Sequence, residues 1–374
     1  MTTRRDFLAA AAAATIAPHF NGPLCAGQKR GAAESEAGKL GYALVGLGRL
    51  STNQIAPALM KTEHSKLVGV VSGSAEKAGK WKDQYAIPDD NIYNYRNFDR
   101  IIDNQEIDVV YVVLPNSMHE EFAIRAARAG KHVLCEKPMS ISSAECRRMI
   151  EACDHAGVKL AVGYRCQYEP HHLECIRMAR EETFGKLQHI DAGFGFRIAD
   201  YPVGDLRRWR LEREMAGGGA LMDVGIYAIQ ACRYLTGEEP TSLMASEIKT
   251  DSKKFAEVDE TILWSMAFPS GVSANCTTTY NFNGINQFRA YSEKGQFGLK
   301  PAFGYGGIQG TAGNEAVRGE NVDQFATEMD QFSQVIKQDG TTKVSGIEGL
   351  RDLLVTEAIY ESIRTGKRVD VAKV

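Results

Sequence analysis

Asp223 and Tyr227 lie four residues apart in AGGGALMDVGIY (residues 216–227), where they are the only polar side chains. On a helix that spacing puts both on one face. A carboxylate and a phenol so placed suit proton transfer to a bound hydroxyl. They equally suit a buried pair that satisfies itself. Gly217–Gly219 would let a ligand approach the backbone. A second constellation is Glu136-Lys137-Pro138, after the apolar stretch KHVLC. A lysine at the carboxyl end of a parallel strand faces the crevice where open α/β sheets bind ligands. Pro138 fixes the turn and is a candidate for a cis bond. Metal chemistry finds no support. Cys135, Cys146, Cys153, Cys166, Cys175, Cys232 and Cys276 show no CxxC and read as buried reduced thiols. His171-His172 lacks a third ligand and reads as a surface pair.

A nucleotide loop stands upstream. Gly46-Leu47-Gly48-Arg49-Leu50-Ser51 follows one apolar run and precedes a helical one, giving GxGxxS in the strand–turn–helix context that a dinucleotide fingerprint needs. Gly46 allows the tight turn and Gly48 the approach of a pyrophosphate, while Ser51 is small enough for close helix packing. An NAD site usually has a carboxylate at the tip of the second strand. Here that strand ends Val71-Ser72-Gly73-Ser74, with Lys77 shortly after. Hydroxyls and a lysine suit the 2′-phosphate of NADP, and Arg49 adds charge or covers the adenine.

The elements that must position these residues alternate. GYALVGLG, KLVGVVS, DVVYVVLP, KHVLCEKP and KLAVGY read as strands, separated by helical segments such as HEEFAIRAARAG and SSAECRRMIEACDHAG. This is the pattern of a doubly wound parallel α/β sheet, a Rossmann domain, over residues 40–164. From residue 165 to 374 the rhythm changes to alternating, Thr- and aromatic-rich stretches, including TSLMASEIKT and TILWSMAFPSGVSANCTTTYNF. They predict an α+β domain with a large, mainly antiparallel sheet, closed by a long helix over 348–366.

Composition bounds the partners. With 374 residues, 44% apolar and 24% charged, the chain suits two ordinary globular domains. A net charge of −3 gives no electrostatic case for nucleic acid or an anionic membrane. Arg4-Arg5-Asp6-Phe7-Leu8 before AAAAAATIA matches a twin-arginine export signal, with its apolar run too short to span a membrane. Residues 1–26 therefore read as a leader for a periplasmic protein, and residues 27–39 as a flexible arm.

GLGRLS, VVSGSAEKA, VVLPNSMHEEFAIRAARAGKHVLCEKPMS, VGYRCQY, WRLEREMAGGGALMDVGIYAI and RYLTGEEP together resemble the glucose–fructose oxidoreductase/inositol dehydrogenase (Gfo/Idh/MocA) family, most closely its exported sugar–sugar oxidoreductases. The resemblance implies a tightly retained NADP(H), oxidation of an aldose at C1 to an aldonolactone, and reduction of a second sugar to an alditol in a ping-pong cycle. It puts Lys137 beside nicotinamide and substrate, makes Tyr227 the acid/base with Asp223 its companion, and sets Leu114, Asn116, His119, Glu136 and Arg165 around the nucleotide. Arg165, Tyr168, Arg207 and Trp209 are candidates for sugar binding, and Gly217–Gly219 for leaving room at the nicotinamide. An unperturbed phenol, with pKa about 10, is a poor base near neutrality, so a nearby Lys137 ammonium is expected to lower it. A homodimer is expected. Two other functions fit the same fold: an NAD-dependent glycoside hydrolase and a non-catalytic, nucleotide-dependent sugar sensor.

Overall fold

The computed structural model describes residues 38–374; the expected leader and most of the expected arm lie outside them. Six strands, β1 (Leu40–Val45), β2 (Ser65–Val71), β3 (Ile92–Tyr93), β4 (Val109–Val112), β5 (His132–Cys135) and β6 (Leu160–Val162), form a parallel sheet in the order β3-β2-β1-β4-β5-β6. Among its helices are α1 (Ala56–Leu59), entered through a π-helical turn over Ser51–Ile55, α2 (Ala75–Tyr85), α3 (His119–Arg128) and α4 (Ser143–Ala156). All four β4 residues are buried, as a strand covered on both faces requires. Ser74 and Ser142 cap α2 and α4 by accepting the Lys77 and Glu145 N–H groups. The strand order reverses between β1 and β4, which opens a crevice at their carboxyl ends.

The rest of the chain builds α5 (Pro170–Arg180), α6 (Arg213–Ala216) and α7 (Ile226–Thr236), the last entered through a π-helical turn over Leu221–Gly225. It also builds a nine-stranded sheet from β7 (Leu187–Gly195), β8 (Ser242–Ile248), β9 (Thr261–Ala267), β10 (Ser273–Thr279), β11 (Asn286–Ser292), β12 (Gly295–Leu299), β13 (Gly310–Ala312), β14 (Glu315–Ala316) and β15 (Val369–Asp370). Every pair is antiparallel except β7 with β10. Strand alternation turns Leu243 and Ala245 inward and leaves Met244 and Ile248 exposed. Helix α7 packs on β7 and α5, and α9 (Gly346–Thr365) packs on β8.

Helix α8 (Gln324–Lys337) is absent from the elements read out of the sequence, and it matters for the architecture. It returns to the parallel sheet, where Phe325, Met329 and Phe332 join the same buried cluster as Tyr42, Leu44 and Val70. The buried Tyr42 hydroxyl bonds the Met329 carbonyl at 3.0 Å and the Ser333 hydroxyl at 3.0 Å. The Asp330 carboxylate accepts the Glu63 and His64 N–H groups at 2.7 and 2.8 Å. Tyr42→Phe should therefore cost about 1–3 kcal/mol, because it removes two buried hydrogen bonds to α8. Chemical denaturation measures this; an unchanged midpoint would show that α8 does not depend on the bond.

Candidate active site

The crevice is built by residues that each follow a parallel strand. After β1, Gly46 takes a left-handed φ of 97°, and a Cβ there would overlap the Val113 carbonyl. Ser51, in place of a third glycine, donates its hydroxyl to the Gly46 carbonyl at 2.5 Å and so locks the turn. A Cβ on Gly48 would meet nothing within 4 Å, so the backbone there faces open space at a helix amino end. That arrangement fits a pyrophosphate. Arg49 is exposed beside it, while Leu50 packs partly against the core. After β2, the Ser72 hydroxyl is buried and accepts the Ser74 N–H at 3.1 Å. The nearby carboxylate, Glu76, is bound to Lys80 at 2.7 Å, which leaves Lys77 as the exposed charge of this turn.

After β4 and β5 the predicted residues divide. Leu114 and Asn116 are buried, and Asn116 reaches across to donate to the Ala216 carbonyl at 2.9 Å. His119 is fully buried, its ring nitrogens 2.8 and 2.9 Å from the Leu114 and Pro138 carbonyls. It ties the two loops together from behind and does not border the crevice. Burial holds its imidazole below the ordinary pKa. Glu136 also turns inward, accepting the Tyr111 hydroxyl at 2.8 Å, and burial raises its carboxyl above the usual range despite the Lys137 charge. The Lys137-Pro138 bond is cis.

Lys137 meets both members of the opening pair. Its Nζ donates to the Asp223 carbonyl at 2.6 Å and to the Asp223 carboxylate at 3.2 Å, and it lies 4.9 Å above the centre of the Tyr227 ring. Asp223 and Tyr227 do not satisfy one another, since the π-helical turn at Asp223 widens the helix and separates their partners. The second Asp223 oxygen accepts Arg210 Nε at 3.1 Å and the Tyr280 hydroxyl at 2.7 Å. Burial alone would raise this carboxyl, but Lys137 and Arg210 outweigh it and hold it ionised far below the usual range. The cation bonded to the Tyr227 hydroxyl is Arg165 at 3.1 Å, not Lys137. Burial outweighs Arg165, and the phenol is raised rather than lowered. The expected lowering by Lys137 fails because that ammonium faces the ring while its hydrogen bonds go to Asp223.

Other expectations are corrected by packing. Arg165 is buried, donating to the carbonyls of Phe303 at 2.8 Å and Gly304 at 3.0 Å and to Gln324 Oε1, so it braces Tyr227 from behind. Tyr168 lies in the first buried cluster under Lys343, whose Nζ is 4.3 Å from the ring centre. Arg207 is an exposed partner of Asp205. Arg210, three residues on, is the one that reaches Asp223, and it stacks on the half-buried Trp209 at 4.3 Å. His171 and His172 are buried, both bonded to Glu169, and are not a surface pair.

The three glycines serve the protein rather than a ligand. A Cβ on Gly217 would lie 2.7 Å from the Ile141 Cβ; one on Gly218 would overlap the Tyr360 hydroxyl, and one on Gly219 the Asp259 carbonyl. Asp259, missed in the sequence, accepts the N–H groups of Gly219 and Leu221 at 2.6 and 2.8 Å and the Tyr360 hydroxyl at 2.7 Å. It thereby caps the helix entry that carries Asp223.

Residues 40–164 match the model of an oxidoreductase family with an NAD-binding Rossmann fold, and residues 172–298 match the GFO/IDH/MocA C-terminal domain. Among solved structures, the aldose-aldose oxidoreductase of Caulobacter crescentus, complexed with glycerol, is 43% identical with a TM-score of 0.84, covering 89% of this chain and 100% of that one. A levoglucosan dehydrogenase in complex with NADH and levoglucosan shares the fold at a TM-score of 0.76 and 22% identity, covering 90% of this chain and 100% of its own. The D-xylose 1-dehydrogenase [NADP(+)] of Haloarcula marismortui is 28% identical over 338 residues, 88% of this chain and 92% of that protein.

The glycines separate the two roles experimentally. Gly219→Ala should cost about 3 kcal/mol in unfolding, because backbone must move. Gly48→Ala should leave the melting temperature of nucleotide-free protein unchanged and weaken nucleotide binding. The reverse pattern would mean that the open space at Gly48 is not the nucleotide site.

Proposed function

The chain belongs to the GFO/IDH/MocA family of NAD(P)-binding oxidoreductases, and from that premise we propose that it oxidises an aldose at C1 to an aldonolactone and reduces a second sugar to an alditol on one retained NADP(H). The observation that carries this reading is the Lys137–Asp223–Tyr227 constellation, with Lys137 just past the carboxyl end of β5. The 43% identity to an aldose-aldose oxidoreductase supports the sugar class.

A bound nicotinamide supplies a hydride acceptor in the first half-reaction and a donor in the second. The chain itself must hold the sugar and move one proton. Tyr227 moves it, between its hydroxyl and the sugar's C1 oxygen. Lys137 and Arg165 set two positive charges about the Tyr227 ring, which stabilise negative charge developing on the phenol and on the oxygen. Asp223 holds Lys137 and Arg210 in place. The protonated phenol favoured by burial is ready to donate to a carbonyl in the reductive half. Arg210 and Trp209 are the side chains best placed to meet sugar hydroxyls and a ring face. The exposed Lys77 beside Ser72 and Ser74 favours NADP, the nucleotide in the name of the Haloarcula relative. Export by the arginine-pair leader belongs to this reading, because beyond the cytoplasm a cofactor must be recycled where it sits. So does a homodimer through the open face of the nine-stranded sheet, where Met244, Ile248 and Leu263 are exposed.

Tyr227→Phe should lower turnover about 10²–10⁴-fold while nucleotide stays bound; wild-type turnover would refute the assignment. Protein dialysed exhaustively should still carry about one nucleotide per chain, NADP in preference to NAD, and yield aldonolactone and alditol in equal amounts from aldose alone. Turnover only with added NADP would refute retention and leave the oxidoreductase reading standing.

A further inference from the structure

The raised phenol poses a question: what takes its proton when Tyr227 must act as a base? Behind it lies a cluster that the reaction has not used. The Arg165 guanidinium bridges two acids, with one terminal nitrogen 3.1 Å from the Tyr227 hydroxyl and the other 3.6 Å from the Cys166 sulfur. Glu169 holds His172 through Nδ1 at 2.8 Å, and His172 Nε2 is buried without a hydrogen-bond partner. Cys166, His172 and Tyr227 line one cavity of about 20 Å³, with Gln230, Phe288 and Phe303. That is room for a single water.

The charges of this cluster balance. Burial pushes the Cys166 thiol up, but Arg165 and His172 outweigh it and bring it below the ordinary value. Burial opposes the His172 charge, yet Cys166 and Glu169 raise the imidazole to about 9. Burial also opposes ionisation of Glu169, which its two histidines bring down to about 2. Two cations, Arg165 and His172, thus alternate with the acidified Cys166 thiol and the Glu169 carboxylate. Tyr227 is also acted on by Glu136, just after β5, which disfavours its ionisation, by the Lys137 ammonium over its ring, and by Tyr305, which stacks on Arg165 at 4.7 Å. Burial and Glu136 raise the carboxyl of buried Glu328, in α8, well above its ordinary value. One guanidinium cannot cheaply support two adjacent anions.

We propose that Tyr227 and Cys166 share a single negative charge across Arg165, and that the Cys166 thiolate is the internal base that relieves Tyr227 of its proton. As the hydride leaves C1 the hydroxyl becomes strongly acidic, and its proton passes to Tyr227 while the Tyr227 proton passes to the thiolate, so no free phenolate forms and the negative charge of the pair falls only by the proton stored on Cys166. In the reductive half the phenol returns a proton to the second sugar's oxygen, and the thiol restores the phenol. Cys166 therefore stores a proton between the two half-reactions and is a positioning residue that touches no substrate. This rests on Tyr227 being the acid/base.

The test uses the nucleotide-loaded full chain. Far-ultraviolet thiolate absorbance, compared with Cys166→Ser, should show Cys166 ionised at neutral pH, whether or not the enzyme turns over. In Cys166→Ser the phenol must lose its proton to solvent, so kcat/KM should rise about tenfold per pH unit through neutrality. Its acid limb should move up by about one unit or more from the wild-type position. A Cys166 that titrates above the ordinary thiol range overturns the proposal, and Cys166→Ala supplies the same difference measurement should the serine variant fail to fold. A Cys166→Ser profile that superposes on wild type, with Tyr227→Phe inactive, overturns the charge sharing alone. A fully active Tyr227→Phe overturns the acid/base reading as well.

Discussion

Asp223 carries one ionised carboxylate between two cations, and the site depends on that balance. Lys137 arrives from the parallel sheet, while Arg210 and Tyr280 come from the second half of the chain. Taking a carboxylate out of water is costly, and the cost is offset only while its partners stay in place. Removing Asp223 would leave two cations facing each other with no anion between them. The constraint acts in both directions: it fixes the Lys137 ammonium over the Tyr227 ring, and it draws the two halves of the molecule together at the mouth of the crevice.

What was legible in the sequence was local. The Gly46–Ser51 turn, the strands on either side, and the position of Lys137 just past a strand follow from short-range pattern, because backbone conformation and strand alternation are decided over a few residues. The family resemblance located Asp223 and Tyr227 as a pair worth attention. What sequence could not supply was the direction in which each side chain turns. Arg207 and Arg210 differ by three positions in one 3₁₀ helix (Leu206–Leu211), yet the first turns back to Asp205 and the second reaches Asp223. Tyr168, Arg165 and the two histidines sit within eight residues of one another and face three different environments.

The glycine triplet shows the same limit in another form. Its need for absent side chains was plain, but the reason lay far along the chain, at Asp259 and Tyr360. Absence of a Cβ signals close approach without saying what approaches. At Gly48 the space is open to a ligand, whereas at Gly218 and Gly219 it is filled by the protein's own atoms. Helix α8 was missed for a related reason. Its apolar residues Phe325, Met329 and Phe332 have helical spacing, but their destination is a sheet completed some 160 residues earlier.

That return of α8 orders events at the ribosome. Residues 40–164 contain every strand of the parallel sheet, yet its buried cluster is completed by later residues, among them Phe325, Met329 and Phe332. During synthesis the nascent sheet therefore waits, its core incomplete, while the whole second sheet is made. Closure of the oldest part of the molecule is among the last steps of its biogenesis. A chain arranged in this way matures as one unit and not domain after domain.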